Sequence, residues 1–372
     1  MIVTIPNLGN ISIAAKALFD GLKIPYIMPE VNHNDTLKIG SFYSPEEICL
    51  PFKIMMGNYI RSIEKGADTI LFAGSCGPCR FGEYCELQMK LLTKFKPDLR
   101  FIVIDSPLDI GKKAFLKRLN EINLSSSASR KEKLSAMLAA YHTIRILDQI
   151  DAKAHELAGY EREKGACKNL LYSCKREASA CDNPVQMLKV LNDYKKKLRQ
   201  IPLDYSKNPL KVAIIGEIYT IIEPFSNLYI EEKLMDYSVS SKRTLTPSWW
   251  LKDTFLKPLK INSLAINHAA KKYLPYKIGG HGRECVGESL LAQQSQMDGA
   301  IQIMPLACMP EVVAKSILPS IQREKDFPIM TLVIDEMVGE AGYLTRIEAF
   351  LDMLEYKRKT GVKWAVCSSF PS

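Results

Sequence analysis

Thr69-Ile70-Leu71-Phe72-Ala73-Gly74-Ser75-Cys76-Gly77-Pro78-Cys79-Arg80-Phe81-Gly82 decides the fold. A short, mostly apolar run ends in a glycine turn and is followed, over 83–95, by apolar residues at helical spacing. A strand buried on both faces reads as such a run, and it belongs to a parallel sheet covered by helices. Working outward, the same strand–turn–helix order predicts strands over 2–5, 26–28 and 100–104, with helices over 12–22, 51–65 and 83–95. It returns near the other end with strands over 211–216, 238–240, 300–304 and 330–334 and helices over 310–323 and 345–356. The fold class expected is α/β, with two open, mostly parallel Rossmann-like sheet domains, a helical insertion and a cleft between the domains. The expected divisions are 1–110, a basic helical segment 111–208, and 209–372, with a linker at 200–208 that contains Pro202.

The bulk numbers agree with this frame. The chain has 372 residues, 50 Lys+Arg against 41 Asp+Glu, 47% hydrophobic and 24% charged residues, which is globular composition with length for about two domains. No window approaches the roughly 18 uncharged apolar residues of a membrane span, so no membrane association is expected. Met1-Ile2-Val3-Thr4-Ile5-Pro6 lacks the basic and long apolar regions of a signal peptide. A cytoplasmic location is therefore expected, and there the ten cysteines should be thiols or metal ligands.

Residues 111–200 carry 19 basic and 10 acidic side chains, which is the whole excess of the chain. Within them, 132–149 places Leu134, Leu138, Tyr141, Ile144, Ile146 and Ile150 near one helix face, and a second helix over 185–198 ends in Lys195, Lys196, Lys197 and Arg199. Late basic residues suit the helix dipole, and a solvated face explains most such stripes. The remaining reading is a docking surface for an acidic partner. No nucleic-acid module or interleaving of basic and aromatic residues is present, so no nucleic acid is expected.

Chemistry is carried by cysteines just after strands, where open α/β sheets bind ligands. Cys76 follows the strand 69–73, and Cys79 and Cys85 lie just beyond it. Cys308 follows 300–304 and precedes Met309-Pro310-Glu311, with Pro310 suited to a first helical turn. Cys49 lies in Ser44-Pro45-Glu46-Glu47-Ile48-Cys49-Leu50-Pro51-Phe52-Lys53, where Pro51 starts a helix. A helix start lowers a thiol's pKa, and thiolates bind iron and zinc. Cys285 lies in Gly279-Gly280-His281-Gly282-Arg283-Glu284-Cys285, also before a helix. Cys167, Cys174 and Cys181, seven residues apart, and Cys367 are expected in the core. For the others an iron–sulfur cluster leads. A thiol–disulfide pair at Cys76 and Cys79 and a four-cysteine zinc site stay open beside it. His281, Arg80 and Arg283 stand beside the cysteines as donors able to tune a cluster or hold an anion, and Asp335, Glu336, Glu340, Arg346 and Glu348 are expected to anchor the last helix by ion pairs.

These motifs, together with Cys285-Val286-Gly287-Glu288, Asp298-Gly299 through Glu311, Asp335-Glu336 and Thr345-Arg346-Ile347-Glu348-Ala349-Phe350, resemble the cluster-bearing subunits of the 2-hydroxyacyl-CoA dehydratase and benzoyl-CoA reductase superfamily. That superfamily includes the double-cubane cluster proteins, and the likeness is nearest to its acyl-CoA dehydratase activase-related branch. The resemblance implies that Cys49, Cys76 and Cys308 hold a 4Fe-4S cluster with one open iron, with Cys79, Cys85 and Cys285 as further ligands or as parts of a double-cubane 8Fe-9S cluster across a dimer. It implies reductive chemistry driven by an ATP-dependent iron–sulfur activator, and a homodimer or related subunit as partner. Besides an enzyme of dehydratase or reductase type, a non-catalytic iron–sulfur electron carrier or scaffold and a thiol–disulfide oxidoreductase are the alternatives.

Overall fold

The computed structural model describes residues 1–74, 80–104, 111–256 and 263–362. It is an α/β protein with two small parallel sheets. The chain forms two compact units. Unit 1 takes Met1–Ala154, Asn169–Ile201 and the segment from Thr246, and unit 2 takes His155–Lys168, Pro202–Leu245 and the segment from Ser263. The helical middle therefore contributes to both units, and the chain returns to unit 1 after its first two strands in unit 2.

In unit 1, β1 (Val3–Thr4), β2 (Thr69–Ala73) and β3 (Arg100–Ile104) pair in that order, all parallel. The expected strand at 26–28 is reduced to one bridge between Val3 and Tyr26. Pro25 and Pro29 bracket it and donate no N–H, so the pairing cannot extend. The helices between these strands are α1 (Asn10–Leu22), α2 (Asn34–Phe42), α3 (Leu50–Glu64) and α4 (Arg80–Phe95); α1 packs on β1 through Phe19 and Leu22, α3 on β2 through Tyr59 and Phe72, and α2 on α3. Helix α3 buries nearly its whole surface. It meets α2 almost backbone to backbone, since a Cβ on Gly40 would lie 1.7 Å from the Lys53 carbonyl oxygen and one on Gly57 1.9 Å from that of Thr36. Only glycine permits that approach.

The middle segment forms α5 (Lys112–Leu124), α6 (Arg130–Leu157), α7 (Ala166–Ser179) and α8 (Pro184–Arg199). Helix α6 starts in a capping box: Ser129 N–H donates to Glu132 at 2.7 Å, and Glu132 N–H to the Ser129 hydroxyl at 3.3 Å. Its inward face matches the expected one at Ile144 and Ile150 but not at Leu134 and Leu138. Ala136, Ala139, Thr143, Ile144, Leu147 and Ile150 are buried, while Leu134 and Leu138 are exposed. The small residues face inward because α1 comes close, with a Cβ on Gly21 falling 2.6 Å from that of Ala136.

In unit 2, β4 (Lys211–Gly216), β5 (Ser240–Arg243), β6 (Gly299–Pro305) and β7 (Ile329–Ile334) form a parallel sheet ordered β5-β4-β6-β7. Every residue of β6 is buried, as a central parallel strand requires. Strand β5 starts two residues later than expected because Ser238 adopts a left-handed turn at φ 56°. It is also more polar than the apolar rule anticipates, since Arg243 turns inward to the Ile221 carbonyl at 2.7 Å and to Glu231 at 2.8 Å. Helices α9 (Ile218–Ile222), α10 (Ile230–Asp236), α12 (Leu264–Ala270), α13 (Gly282–Gln294), α14 (Met309–Lys325) and α15 (Glu340–Thr360) complete unit 2, while α11 (Pro247–Leu256) belongs to unit 1. Three of the residues expected to anchor the last helix do so, Glu340 by an ion pair and Glu348 and Arg346 by hydrogen bonds. Glu340 pairs with Lys233 at 2.5 Å, Glu348 accepts from the Tyr237 hydroxyl at 2.6 Å, and Arg346 donates to the Thr331 carbonyl at 2.7 Å. Among the described residues no helix is long and apolar enough to cross a membrane.

Candidate functional sites in each unit

In unit 1, Cys49 is the N-cap residue of α3, with proline in the first helical turn and no side-chain cap. Its loop is pinned from below. The Lys53 ammonium, 4% exposed, donates to the Glu46 carbonyl at 2.9 Å, and the Ser44 hydroxyl donates to the Gly40 carbonyl at 2.5 Å. Lys53 thus closes the Ser44–Cys49 turn that the sequence motif spells out. The Cys49 thiol is half-buried and its sulfur contacts the Tyr84 hydroxyl. Tyr84 is buried on α4 and meets Phe52 edge-on, with centroids 5.1 Å apart at 84°. Cys85 follows it, half-buried, close enough that its charge adds to the burial that raises the Tyr59 phenol far above its ordinary range. Cys76 and Cys79 lie outside the described residues, as does Cys367, and so do their expected roles. The side chain of Arg80 is outside them too.

In unit 2, β6 ends at Pro305, Ala307 takes a left-handed turn at φ 63°, and Cys308 becomes the N-cap of α14, again with proline in the first turn and no side-chain cap. Its N–H donates to the Pro305 carbonyl at 3.1 Å, and its thiol is half-buried. The glycine-rich loop ends beside this turn, because a Cβ on Gly282 would stand 2.4 Å from the Pro310 carbonyl oxygen. Burial lowers the His281 imidazole to about 4, so it is neutral at physiological pH. Arg283 reaches the Asn267 carbonyl at 3.3 Å.

Behind Cys308 lies a group of buried acids. Gly216 lets β4 pass within contact of Ile303, where a Cβ would fall 2.0 Å from the carbonyl oxygen, and so delivers Glu217 to the carboxyl edge of the sheet. Glu217 caps α9 through the N–H groups of Tyr219 and Thr220 at 3.0 and 2.9 Å, yet burial still raises its carboxyl. Glu311, fully buried in the first turn of α14, accepts from the Gln302 amide at 2.8 Å, and Gln302 in turn accepts from the Thr331 hydroxyl at 2.8 Å. Burial, with the charges of Glu217 and Glu284 assisting and Gln302 and Cys285 opposing, lifts Glu311 to about 7. Glu288 is 4% exposed, and burial and the Glu284 charge raise it well above the ordinary carboxylate range against an opposing interaction with Thr244. Cys285 has no exposed surface, and burial together with Glu311 and Glu288 holds it as a neutral thiol.

Cys167, Cys174 and Cys181 are core thiols as expected, and burial raises all three, Cys174 to about 12. Two other buried acids are matched by cations, Asp151 with Lys175 at 2.9 Å in unit 1, and Glu231 with Arg243 at 2.8 Å beside His155 at 3.6 Å in unit 2. The chain matches no protein-family model and no curated protein. Sequence reading missed Tyr84, Gln302 and Glu217 as site residues. Glu217 alone carried a signal, being the first residue after a glycine-ended strand.

Proposed function

We propose that this chain is an iron–sulfur protein of the 2-hydroxyacyl-CoA dehydratase and benzoyl-CoA reductase type, with Cys49, Cys76 and Cys308 as ligands of a 4Fe-4S cluster. The observation that carries the reading is that Cys49 and Cys308 have the same local design: each is the half-buried N-cap of a helix with proline in its first turn and no side-chain cap. A thiolate there gains from the helix dipole and the uncapped N–H groups, which suits a cluster ligand. The contrast with Cys285, sealed among acids, favours leaving Cys285 out of the ligand set. When bound, such a cluster supplies one-electron transfer at low potential. The chain's own part is to hold its sulfurs, through the Lys53 clamp on the Cys49 loop and the Ala307 turn before Cys308, and to keep water from the acids behind Cys308.

The reading carries the finer expectations with it. The two sheets are the cores of Rossmann-like domains, the compartment is the cytoplasm, and the larger double-cubane cluster would engage Cys79 or Cys85. The partners are an ATP-dependent activator and a second copy or related subunit. Lys195, Lys196 and Lys197 on α8 offer the basic surface, tied locally to Gln149 at 2.6 Å, to Asp193 at 3.3 Å and to the Tyr194 ring at 4.2 Å. Anaerobic purification followed by iron, sulfide and EPR analysis tests the reading. Iron and sulfide should be present, and Cys49→Ala, Cys76→Ala and Cys308→Ala should each lose them. Full iron in all three variants would overturn the ligand assignment, and wild-type protein without iron or sulfide would overturn the function. Turnover under reducing conditions with an ATP-driven activator distinguishes an enzyme from an electron carrier.

A further inference from the structure

Tyr84 has no place in the ligand set, yet its hydroxyl touches a proposed ligand sulfur directly. Its position is built rather than incidental. The ring is 6% exposed, fixed edge-on against Phe52, the residue before Lys53 whose carbonyl meets Gly40 of α2, and the hydroxyl faces Cys49 at the start of α3. A buried phenol needs a hydrogen-bond acceptor. The Cys49 sulfur supplies one, and a thiolate there makes the phenol the donor.

We propose that Tyr84 is a positioning residue that donates an O–H···S hydrogen bond to the Cys49 sulfur and thereby raises the reduction potential of the cluster this sulfur holds. The proposal rests on the cluster reading above. The physical chain is short. Reduction adds one electron, taken from an external low-potential one-electron donor, and puts more negative charge on the ligand sulfurs. A donor aimed at one sulfur stabilises the reduced form more than the oxidised form, as hydrogen bonds to cluster sulfurs do. The phenol keeps its proton throughout, so no proton accompanies the electron. Phe52 and Tyr84 are both buried on the protein side of the half-buried Cys49 sulfur, so little solvent reaches that side to replace the bond once it is removed.

The test is an EPR-monitored redox titration of anaerobically purified full-length protein, wild type against Tyr84→Phe, with iron and sulfide measured on both. Tyr84→Phe keeps the ring and its packing on Phe52 and removes only the donor. The expected result is unchanged iron content with an equilibrium constant for reduction about tenfold smaller, which is a midpoint lower by about 59 mV for one electron. Equal potentials with equal iron would overturn the inference while leaving the cluster reading intact. A wild-type protein without iron or sulfide would remove the cluster reading and this inference with it. If Tyr84→Phe loses iron, replacement of Tyr84 by 3-fluorotyrosine, a stronger donor of nearly the same shape, decides the matter. Its midpoint should rise above wild type, and an unmoved or lower midpoint would overturn the inference.

Discussion

Replacing Glu311 by glutamine should flatten the pH dependence of stability in unit 2. The carboxyl rises from 4.5 to about 7 on folding, chiefly because it is fully buried. Between those two values the folded chain holds a proton that the unfolded chain has released, so stability is fully present below 4.5 and is lost as pH climbs through about 7. At about 1.4 kcal/mol for each pKa unit, that span corresponds to about 3 kcal/mol. Glu311→Gln keeps an oxygen for the Gln302 amide and removes the titrating group. The assay is urea unfolding at pH values on either side of this window, followed by hydrogen exchange of β6, whose Gln302 holds the carboxyl. Wild type should lose about 3 kcal/mol more than the variant across the window. Glu288, raised in the same direction, leaves a residual slope in both proteins. Parallel stability curves for the two proteins would refute the argument that Glu311 is protonated by burial.

Three further outcomes are expected. Gly57→Ala forces a Cβ to 1.9 Å from the Thr36 carbonyl oxygen and should destabilise unit 1 by about 1–3 kcal/mol or more, read as a lower urea midpoint; an unmoved midpoint would contradict the α2–α3 approach. Asp68 works against its burial, but the Thr69 hydroxyl, the Ile2 N–H, the N-terminus and Arg100 hold its carboxyl down to about 2. With its partial exposure discounted, Asp68→Asn should cost about 1 kcal/mol at neutral pH. That difference should shrink as pH falls from 3.8 through about 2, and a constant difference in unfolding midpoints would count against the assignment. N-ethylmaleimide added to folded, metal-free protein should label Cys49 and Cys308 and spare Cys167, Cys174, Cys181 and Cys285 until urea is added, with peptide mass spectrometry as the readout.

Most of the fold was legible because parallel strands are buried on both faces and announce themselves as apolar runs. Thr69–Ala73, Arg100–Ile104 and Lys211–Gly216 match their expected limits, and β6 and β7 differ by a residue or so. The misses have local causes. Tyr26 sits between two prolines, β5 is an edge strand whose Ser240 and Arg243 are buried through polar contacts, and α6 turns alanines inward where leucines were expected. Of the candidate sites, the N-cap positions of Cys49 and Cys308 were readable from the proline that follows each. The Tyr84 contact and the Gln302–Glu311 pair were not, because they join residues on different elements and leave no spacing along the chain.

The interleaving of the two units has a consequence for how the chain is made. Unit 1 lacks its helix Pro247–Leu256 until β4 and β5 of unit 2 have already left the ribosome, and those strands wait in turn for β6 and β7. At about 5–20 residues per second, the gap between Ala154 and Thr246 takes on the order of 5–20 s to translate. For that time both units are unfinished at once. No single cut yields either unit whole, so a fragment ending in the Pro202 linker would lack part of unit 1, and only the long product supplies each unit with all of its segments.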